Sequence, residues 1–142
     1  MNHAVISHVG IAVSDLEKSI ARYEILTGIK VKEIEEVASQ KVRVAIFSTG
    51  GKDSGFKGGN IELLCGTSED SPVTKFIAKK GEGLHHLCLY VDDIEQQLAA
   101  LKAAGVRLID ETPRLGAEGH KIAFVHPAGT GGVLIELEEK AG

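Results

Sequence analysis

The stretch His8-Val-Gly-Ile-Ala-Val-Ser-Asp-Leu-Glu17 occurs twice in this chain. It returns 78 positions later as His86-Leu-Cys-Leu-Tyr-Val-Asp-Asp-Ile-Glu95. In both copies a β-rich segment that opens with histidine leads into the start of an amphipathic helix. A second pair of matching stretches lies further along each copy, Ile61-Glu-Leu-Leu64 and Ile135-Glu-Leu-Glu138. The sequence therefore predicts a duplicated unit in which each copy contributes one histidine and one glutamate.

Length and composition are those of a soluble globular protein. The 142 residues are 43% hydrophobic and 25% charged, enough for one domain or for two small units that share a core. A net charge of −4, without a dense lysine and arginine block, argues against a nucleic-acid surface. No apolar run approaches the roughly 20 residues that span a bilayer, and the first residues lack the pattern of a secretory signal. Cys65 and Cys88 form no disulfide framework, so we expect a reducing, cytoplasmic location.

The first copy, residues 3–66, predicts the order strand, helix, strand, strand, strand. Residues 4–13 alternate between two faces, and His8 lies on the face opposite the apolar one. Ser14-Asp-Leu-Glu17 is a capping-box pattern that predicts a helix start at its serine, and Gly28 predicts the end. The later strands are predicted near 29–37, 42–48 and 60–64, with a glycine-rich loop over 49–59.

The second copy, residues 84–139, repeats this order. Asp92-Asp-Ile-Glu95 is again a capping pattern, and Gly105 predicts the end of the helix. Residues 67–83 predict a linker with a short helix at 72–80, because Ser71-Pro72 is a helix-start signal. The remaining strands are predicted near 106–109, 120–126 and 132–138. We therefore expect a single α+β domain, residues 1–142, made of two tandem βαβββ modules.

The duplicated positions form a donor set for a divalent transition metal. Imidazole nitrogens and carboxylate oxygens suit such ions, and the set is His8, Glu62, His86 and Glu136. A lone histidine on a strand is usually a core or surface residue. The register match between the two copies, for both residue types, favours a metal site over that interpretation.

Other polar residues near these positions have simpler interpretations. His85 precedes His86 and points to the opposite face of its strand by the period of 2. Cys88 shares the face of His86, and we interpret it as a buried thiol rather than a competing ligand. His120 and His126 have no counterpart in the first copy, and either is a candidate for lining a substrate site.

This arrangement resembles the vicinal oxygen chelate (glyoxalase I-like) superfamily along nearly the whole chain. Members pair two βαβββ modules into a curved mixed sheet around a central metal cleft. Three stretches are similar to the methylmalonyl-CoA epimerase family within it. They are Asp70-Ser-Pro72 with Phe76 and Lys79, then Gly83-Leu-His-His-Leu87, and finally His126-Pro127 with Gly132-Val-Leu-Ile-Glu136.

The resemblance implies an isomerase that interconverts the 2R and 2S forms of methylmalonyl-CoA through an enolate. It implies one divalent metal (Co²⁺, Ni²⁺, Zn²⁺, Mn²⁺ or Fe²⁺) held by His8, Glu62, His86 and Glu136. It also implies an acyl-CoA thioester as substrate, a homodimer, and neither nucleic acid nor membrane as partner. Some members carry an acid/base glutamate on the third strand of the first module, where this chain has Val42-Arg-Val-Ala-Ile-Phe47. We therefore take Glu62 and Glu136 as the candidate catalytic carboxylates.

Three other functions use the same scaffold. Glyoxalase I, acting on glutathione hemithioacetals, needs a similar metal site, so the ligand set alone does not separate it from an epimerase. A ring-cleaving dioxygenase uses two histidines and one carboxylate, and Glu62 as a fourth candidate ligand weighs against it. A non-catalytic, metal-free ligand-binding protein has no need for all four residues.

Overall fold

The structure of the chain, a computed structural model, describes residues 3–31, 33–50, 58–116 and 119–139. Most of the glycine-rich tract predicted as a loop lies outside the described residues. The elements, in chain order, are β1 Val5–Ala12, α1 Leu16–Thr27, β2 Ile34–Val37, β3 Val42–Ser48, β4 Asn60–Gly66, α2 Pro72–Lys80, β5 Gly83–Tyr90, α3 Ile94–Ala103, β6 Arg114–Leu115, β7 Lys121–Val125 and β8 Ile135–Glu139. The predicted order of strand, helix and three strands is therefore confirmed in both copies.

The chain divides into two compact units. One contains His8–His85, and the other combines Met1–Ser7 with His86–Gly142. Each unit holds the histidine and the glutamate of one copy of the repeat. The module bounds proposed from the sequence, 3–66 and 84–139 with the linker 67–83, remain predictions.

The unit His8–His85 has the strand order β2–β3–β4–β1. β4 runs parallel to β1 and antiparallel to β3, and β3 pairs antiparallel with β2. Because neighbouring residues of a strand face opposite sides, Leu63 and Leu64 belong to different apolar clusters. The cluster with Leu63 includes Leu16 of α1, and the cluster with Leu64 includes Val73 of α2. Helices thus cover both faces of this sheet.

The other unit has the strand order β5–β8–β7–β6. β8 runs parallel to β5 and antiparallel to β7, and β7 pairs antiparallel with β6. Helix α3 packs on one face of these strands through the cluster Ile94, Leu98, Ala123, Val125 and Leu137. Full burial of a valine, leucine or isoleucine side chain contributes roughly 1.5–3 kcal/mol. The opposite face carries the polar residues described below.

Both long helices begin one residue later than the capping patterns predict. Asp15 caps α1 by accepting a hydrogen bond from the Lys18 N–H, and Asp93 caps α3 through the Gln96 N–H. The predicted capping boxes at 14–17 and 92–95 are therefore wrong by one position. Aspartate is a strong N-cap residue, and its short carboxylate reaches these amide groups directly.

The residues of the first predicted box have other partners. The Ser14 N–H donates to Glu82 Oε1 at 2.7 Å, and Arg43 donates to Glu17 Oε1 at 2.7 Å. The hydrogen bond from Arg43 is the main reason that the pKa of the Glu17 carboxyl lies below its ordinary value. A tertiary contact therefore replaces the local bond that the capping box assumes.

The linker motif has a structural explanation. Helix α2 spans the predicted 72–80, with the fully buried Ser71 as its N-cap and Pro72 as its first residue. Lys41 hydrogen-bonds to Asp70, and this bond is the main reason that the pKa of Asp70 falls to about 2. The stretch Asp70-Ser-Pro72 thus starts a helix and anchors it to the turn before β3.

Two strand predictions are wrong in their bounds. β2 begins at Ile34 and not near 29, because side chains of the preceding helix accept the backbone N–H groups of Ile29 and Val31. The segment 106–109 contributes only an isolated bridge between Leu108 and Val125. The short strand β6 was not predicted.

The observed cap of α1, Asp15, and the predicted cap, Ser14, give a matched test. Asp15→Ala is expected to lower the free energy of unfolding by about 1 kcal/mol, because the first turn of α1 loses an acceptor. Ser14→Ala is the control and is expected to change it by less than about 0.5 kcal/mol, since its backbone N–H makes the bond to Glu82. Urea unfolding measures both, and a larger loss for Ser14→Ala would contradict the observed cap.

Candidate active site

The first candidate pair lies on neighbouring parallel strands. In the register of β1 and β4, Gly10 stands opposite Glu62, so Glu62 lies on the same face as His8. Glycine places no side chain between them. His8 is 5% exposed, and its Nδ1 lies 3.1 Å from Glu62 Oε2.

The second pair repeats this geometry in the other unit. Cys88 stands opposite Glu136 in the register of β5 and β8, and Cys88 matches Gly10 in the repeat. His86 Nε2 lies 3.0 Å from Glu136 Oε1, and both residues are 8% exposed. The strand register and the histidine–glutamate contact therefore recur in both copies, with Nδ1 making the contact in His8 and Nε2 making it in His86.

The two pairs fit a metal by their donor chemistry and spacing. The imidazole nitrogen and the carboxylate oxygen lie 3.1 Å apart in the first pair and 3.0 Å apart in the second, close enough for both atoms of a pair to bind one ion. Nitrogen and carboxylate oxygen donors suit divalent transition metals. Burying an acidic side chain such as Glu136 is costly unless a partner offsets the loss of hydration, and a cation would do so.

A second carboxylate on β8 organises the same face. Glu138 lies two residues after Glu136 and therefore points to the same side of the strand. It accepts a hydrogen bond from Ser7 Oγ at 2.9 Å, lies 2.5 Å from His120 Nδ1, and contacts Cys88 Sγ at 3.5 Å. The face thus carries two carboxylates, the buried Glu136 and the partly buried Glu138, each beside a histidine.

Sequence analysis left Glu138 and Ser7 out of the site. The signal that finds Glu138 is the strand period of 2 within Ile135-Glu-Leu-Glu138, which places both glutamates on one face. Ser7 has no comparable signal, because its partner lies at the far end of the chain. His120 was a candidate for lining the substrate site, and it contacts Glu138.

Two neighbouring residues have the structural roles that the sequence predicts. The His85 ring packs edge-on against Phe76 of α2, with ring centroids 4.8 Å apart. Cys88 is fully buried, and burial, followed by the nearby charges of Glu136 and Glu138, raises the pKa of its thiol. Cys88 is thus a buried, protonated thiol, as the sequence predicts.

Among the described residues, no helix is both long and apolar enough to cross a membrane.

The family of the chain follows from comparison with known proteins. Residues 7–124 match the model of the Glyoxalase/Bleomycin resistance protein/Dioxygenase superfamily. The chain belongs to this superfamily, and the expected α+β vicinal oxygen chelate fold is confirmed.

Individual relatives show to which family within the superfamily the chain belongs. The mitochondrial methylmalonyl-CoA epimerase of Dictyostelium discoideum is 38% identical over 95% of this chain and 78% of that protein. The human mitochondrial methylmalonyl-CoA epimerase is 37% identical over 94% of this chain and 73% of that protein. A variant of the Streptomyces coelicolor methylmalonyl-CoA epimerase, solved in complex with 2-nitronate-propionyl-CoA, is 35% identical and superposes with a TM-score of 0.89 over 99% of this chain and 97% of that one. Within the superfamily, the chain belongs to the methylmalonyl-CoA epimerase family.

Glu138 provides a test of the polar face. Glu138→Gln keeps the shape of the side chain but removes the charge beside His120, so we expect a loss of about 1.5–3 kcal/mol in the free energy of unfolding. Glu69→Gln, at an exposed position, is the control and should change stability by less than about 0.5 kcal/mol. Equal stability of the two variants in urea unfolding would show that the Glu138 contacts are dispensable.

Proposed function

We propose that this chain is a metal-dependent methylmalonyl-CoA epimerase, which interconverts the 2R and 2S thioesters by removing and returning the proton at C2. The observation that carries the proposal is the repeated histidine–glutamate pair, at the same register in both copies, in a chain of this family. Three of these four polar residues are buried, and polar residues have no packing advantage over apolar ones at such positions, so the repeated pairs point to a ligand. The proposal extends to a homodimer, by family resemblance, and to a cytoplasmic location, by cysteine usage.

One divalent metal held by His8, Glu62, His86 and Glu136 is part of this proposal. The donor set suits Co²⁺, Ni²⁺, Zn²⁺, Mn²⁺ or Fe²⁺, and geometry or availability selects among them. When bound, such a metal supplies a Lewis acid that stabilises the negative charge developing on the thioester oxygen. Each histidine would bind such a metal as a neutral imidazole, through the lone pair of one ring nitrogen.

Proton transfer requires a base on each side of the C2 carbon. One carboxylate takes the C2 proton, the electrons of the C–H bond move into the enolate, and an acid on the other face returns a proton to carbon. We assign these roles to Glu62 and Glu136, since β3 carries no glutamate and these two residues occupy equivalent positions of the repeat. A glutamate that also binds the metal would transfer the proton only if it left the metal partly or wholly when substrate binds.

Glyoxalase I chemistry is the second candidate, because it also moves a proton beside a carbonyl group. The Dictyostelium and human relatives are both named as epimerases, which favours the acyl-CoA substrate over a glutathione adduct.

The reaction itself is tested by isotope exchange. Metal-loaded protein in D₂O is expected to incorporate deuterium at C2 of (2R)-methylmalonyl-CoA and to form the 2S isomer. His86→Ala and chelation should abolish both. His85→Ala is the matched control and should retain exchange, because that ring packs against Phe76. Absence of exchange with every metal of the set would reject the epimerase, and turnover of the glutathione hemithioacetal would then support glyoxalase I.

The two bases are separated by isosteric variants. Glu62→Gln and Glu136→Gln should each reduce epimerisation by about 10²–10⁴-fold, while each keeps C2 exchange with one of the two stereoisomers. Metal content is measured in parallel, so that loss of the metal is not mistaken for loss of a base. Normal epimerisation by metal-loaded Glu136→Gln would remove Glu136 from this role, and the same result for Glu62→Gln would remove Glu62.

A further inference from the structure

Arg114 lies at the edge of the face that carries His86 and Glu136. It stands opposite Ile122 in the register of β6 and β7, so its side chain shares the face of Ile122 and Phe124. Phe124 in turn stands opposite Glu136 on β8. A single strand, β7, therefore separates the edge strand of Arg114 from the strand of a proposed catalytic carboxylate.

One aromatic ring connects Arg114 with the proposed metal ligands. The guanidinium carbon of Arg114 lies over the Phe124 ring, 5.5 Å from its centroid. The same ring meets the His86 ring edge-on, with centroids 6.1 Å apart and an interplanar angle of 82°. The charged group is thus held on the side of the sheet that faces the reaction.

Asp110 fixes the base of the guanidinium and leaves its tip exposed. Asp110 Oδ1 lies 3.4 Å from Arg114 Nε, while Asp110 Oδ2 accepts the Phe124 N–H at 2.8 Å. A guanidinium has five N–H donors, and the two terminal nitrogens carry four of them outside this ion pair. The Arg114 side chain is 48% exposed, so an incoming ligand can reach these donors.

The charge of this face calls for a cation. Glu136 and Glu138 lie on it, and an acyl-CoA with a carboxylate and phosphates is itself strongly anionic, so a positive charge in addition to the proposed metal would favour its approach. The lysines of the described part of this unit pair elsewhere, Lys102 with Glu111 and Lys121 with Glu95. Arg114 is placed to supply a permanent positive charge and a planar set of donors.

We propose that Arg114 is a substrate-binding residue that donates hydrogen bonds to an anionic oxygen of the acyl-CoA. This inference rests on the proposed function. The oxygen belongs either to the acyl carboxylate or to a phosphate of coenzyme A, and a guanidinium recognises both in the same way. Because Arg114 binds substrate without transferring a proton, its loss should raise KM and leave kcat nearly unchanged.

The test compares Arg114→Gln, Arg114→Lys and the control Arg107→Gln, an exposed arginine whose loss changes the net charge equally. Kd is measured by calorimetry and KM by epimerisation, on metal-loaded protein, with methylmalonyl-CoA and with methylmalonyl-pantetheine, which lacks the phosphates. Arg114→Gln is expected to raise Kd and KM for methylmalonyl-CoA at least about tenfold. Arg114→Lys should recover part of the affinity, and Arg107→Gln should resemble the wild type.

Comparison of the two substrates identifies the oxygen that Arg114 binds. A tenfold effect that disappears with methylmalonyl-pantetheine assigns the phosphate, and one that persists assigns the acyl carboxylate. Unchanged Kd and KM for both substrates, or an equal effect of Arg107→Gln, would overturn the inference. If the wild type binds methylmalonyl-CoA without exchanging its C2 proton, the proposed function fails, while the comparison of Kd values still decides the role of Arg114.

Discussion

Parallel pairing of the first and last strands in each copy is the constraint on which the candidate site depends. It sets Gly10 opposite Glu62 and Cys88 opposite Glu136, and thereby brings each glutamate beside the histidine that opens its unit. A parallel pair needs a long crossover, and α1 or α3 begins that crossover in each copy. A slip of one residue would turn both glutamates to the opposite face and bury them against a helix.

As a consequence, one face of the strands packs against a helix, and the other face carries the polar residues of the candidate site. The faces that contact α1 and α3 are filled by apolar side chains, whose burial stabilises the fold. In the unit that contains β5 and β8, the opposite face holds carboxylates and histidines. Intact pairs of this kind add little net stability once their desolvation is counted, whereas removal of one partner is costly. Polar residues at such positions are a conflict between local packing and the fold, and conflicts of this kind are expected at functional sites.

Much of the fold and of the candidate site could be predicted from the sequence, because a duplication shows the same pattern twice and each copy can be checked against the other. In both copies a histidine is followed by a helix start and then by a strand that carries a glutamate. The recurrence of all three features separates these histidines from an isolated one. What could not be predicted depends on contacts between distant segments. The cap of α1 moved to Asp15 because Glu17 is drawn to Arg43 on β3, and the strand β6 has only two residues. Glu138 acquires its role from Ser7 and His120, which are remote from it in sequence.

The central claim is that the two histidine–glutamate pairs bind one metal ion. Metal binding to protein that a chelator has stripped of metal tests it most directly. Calorimetric titration with Co²⁺ should give one equivalent per chain, and His8→Ala and His86→Ala should each abolish that same equivalent. Two equivalents per chain, with each variant retaining one of them, would mean that each pair binds its own ion and would contradict the claim. Binding by both variants at the wild-type affinity and stoichiometry would contradict it as well.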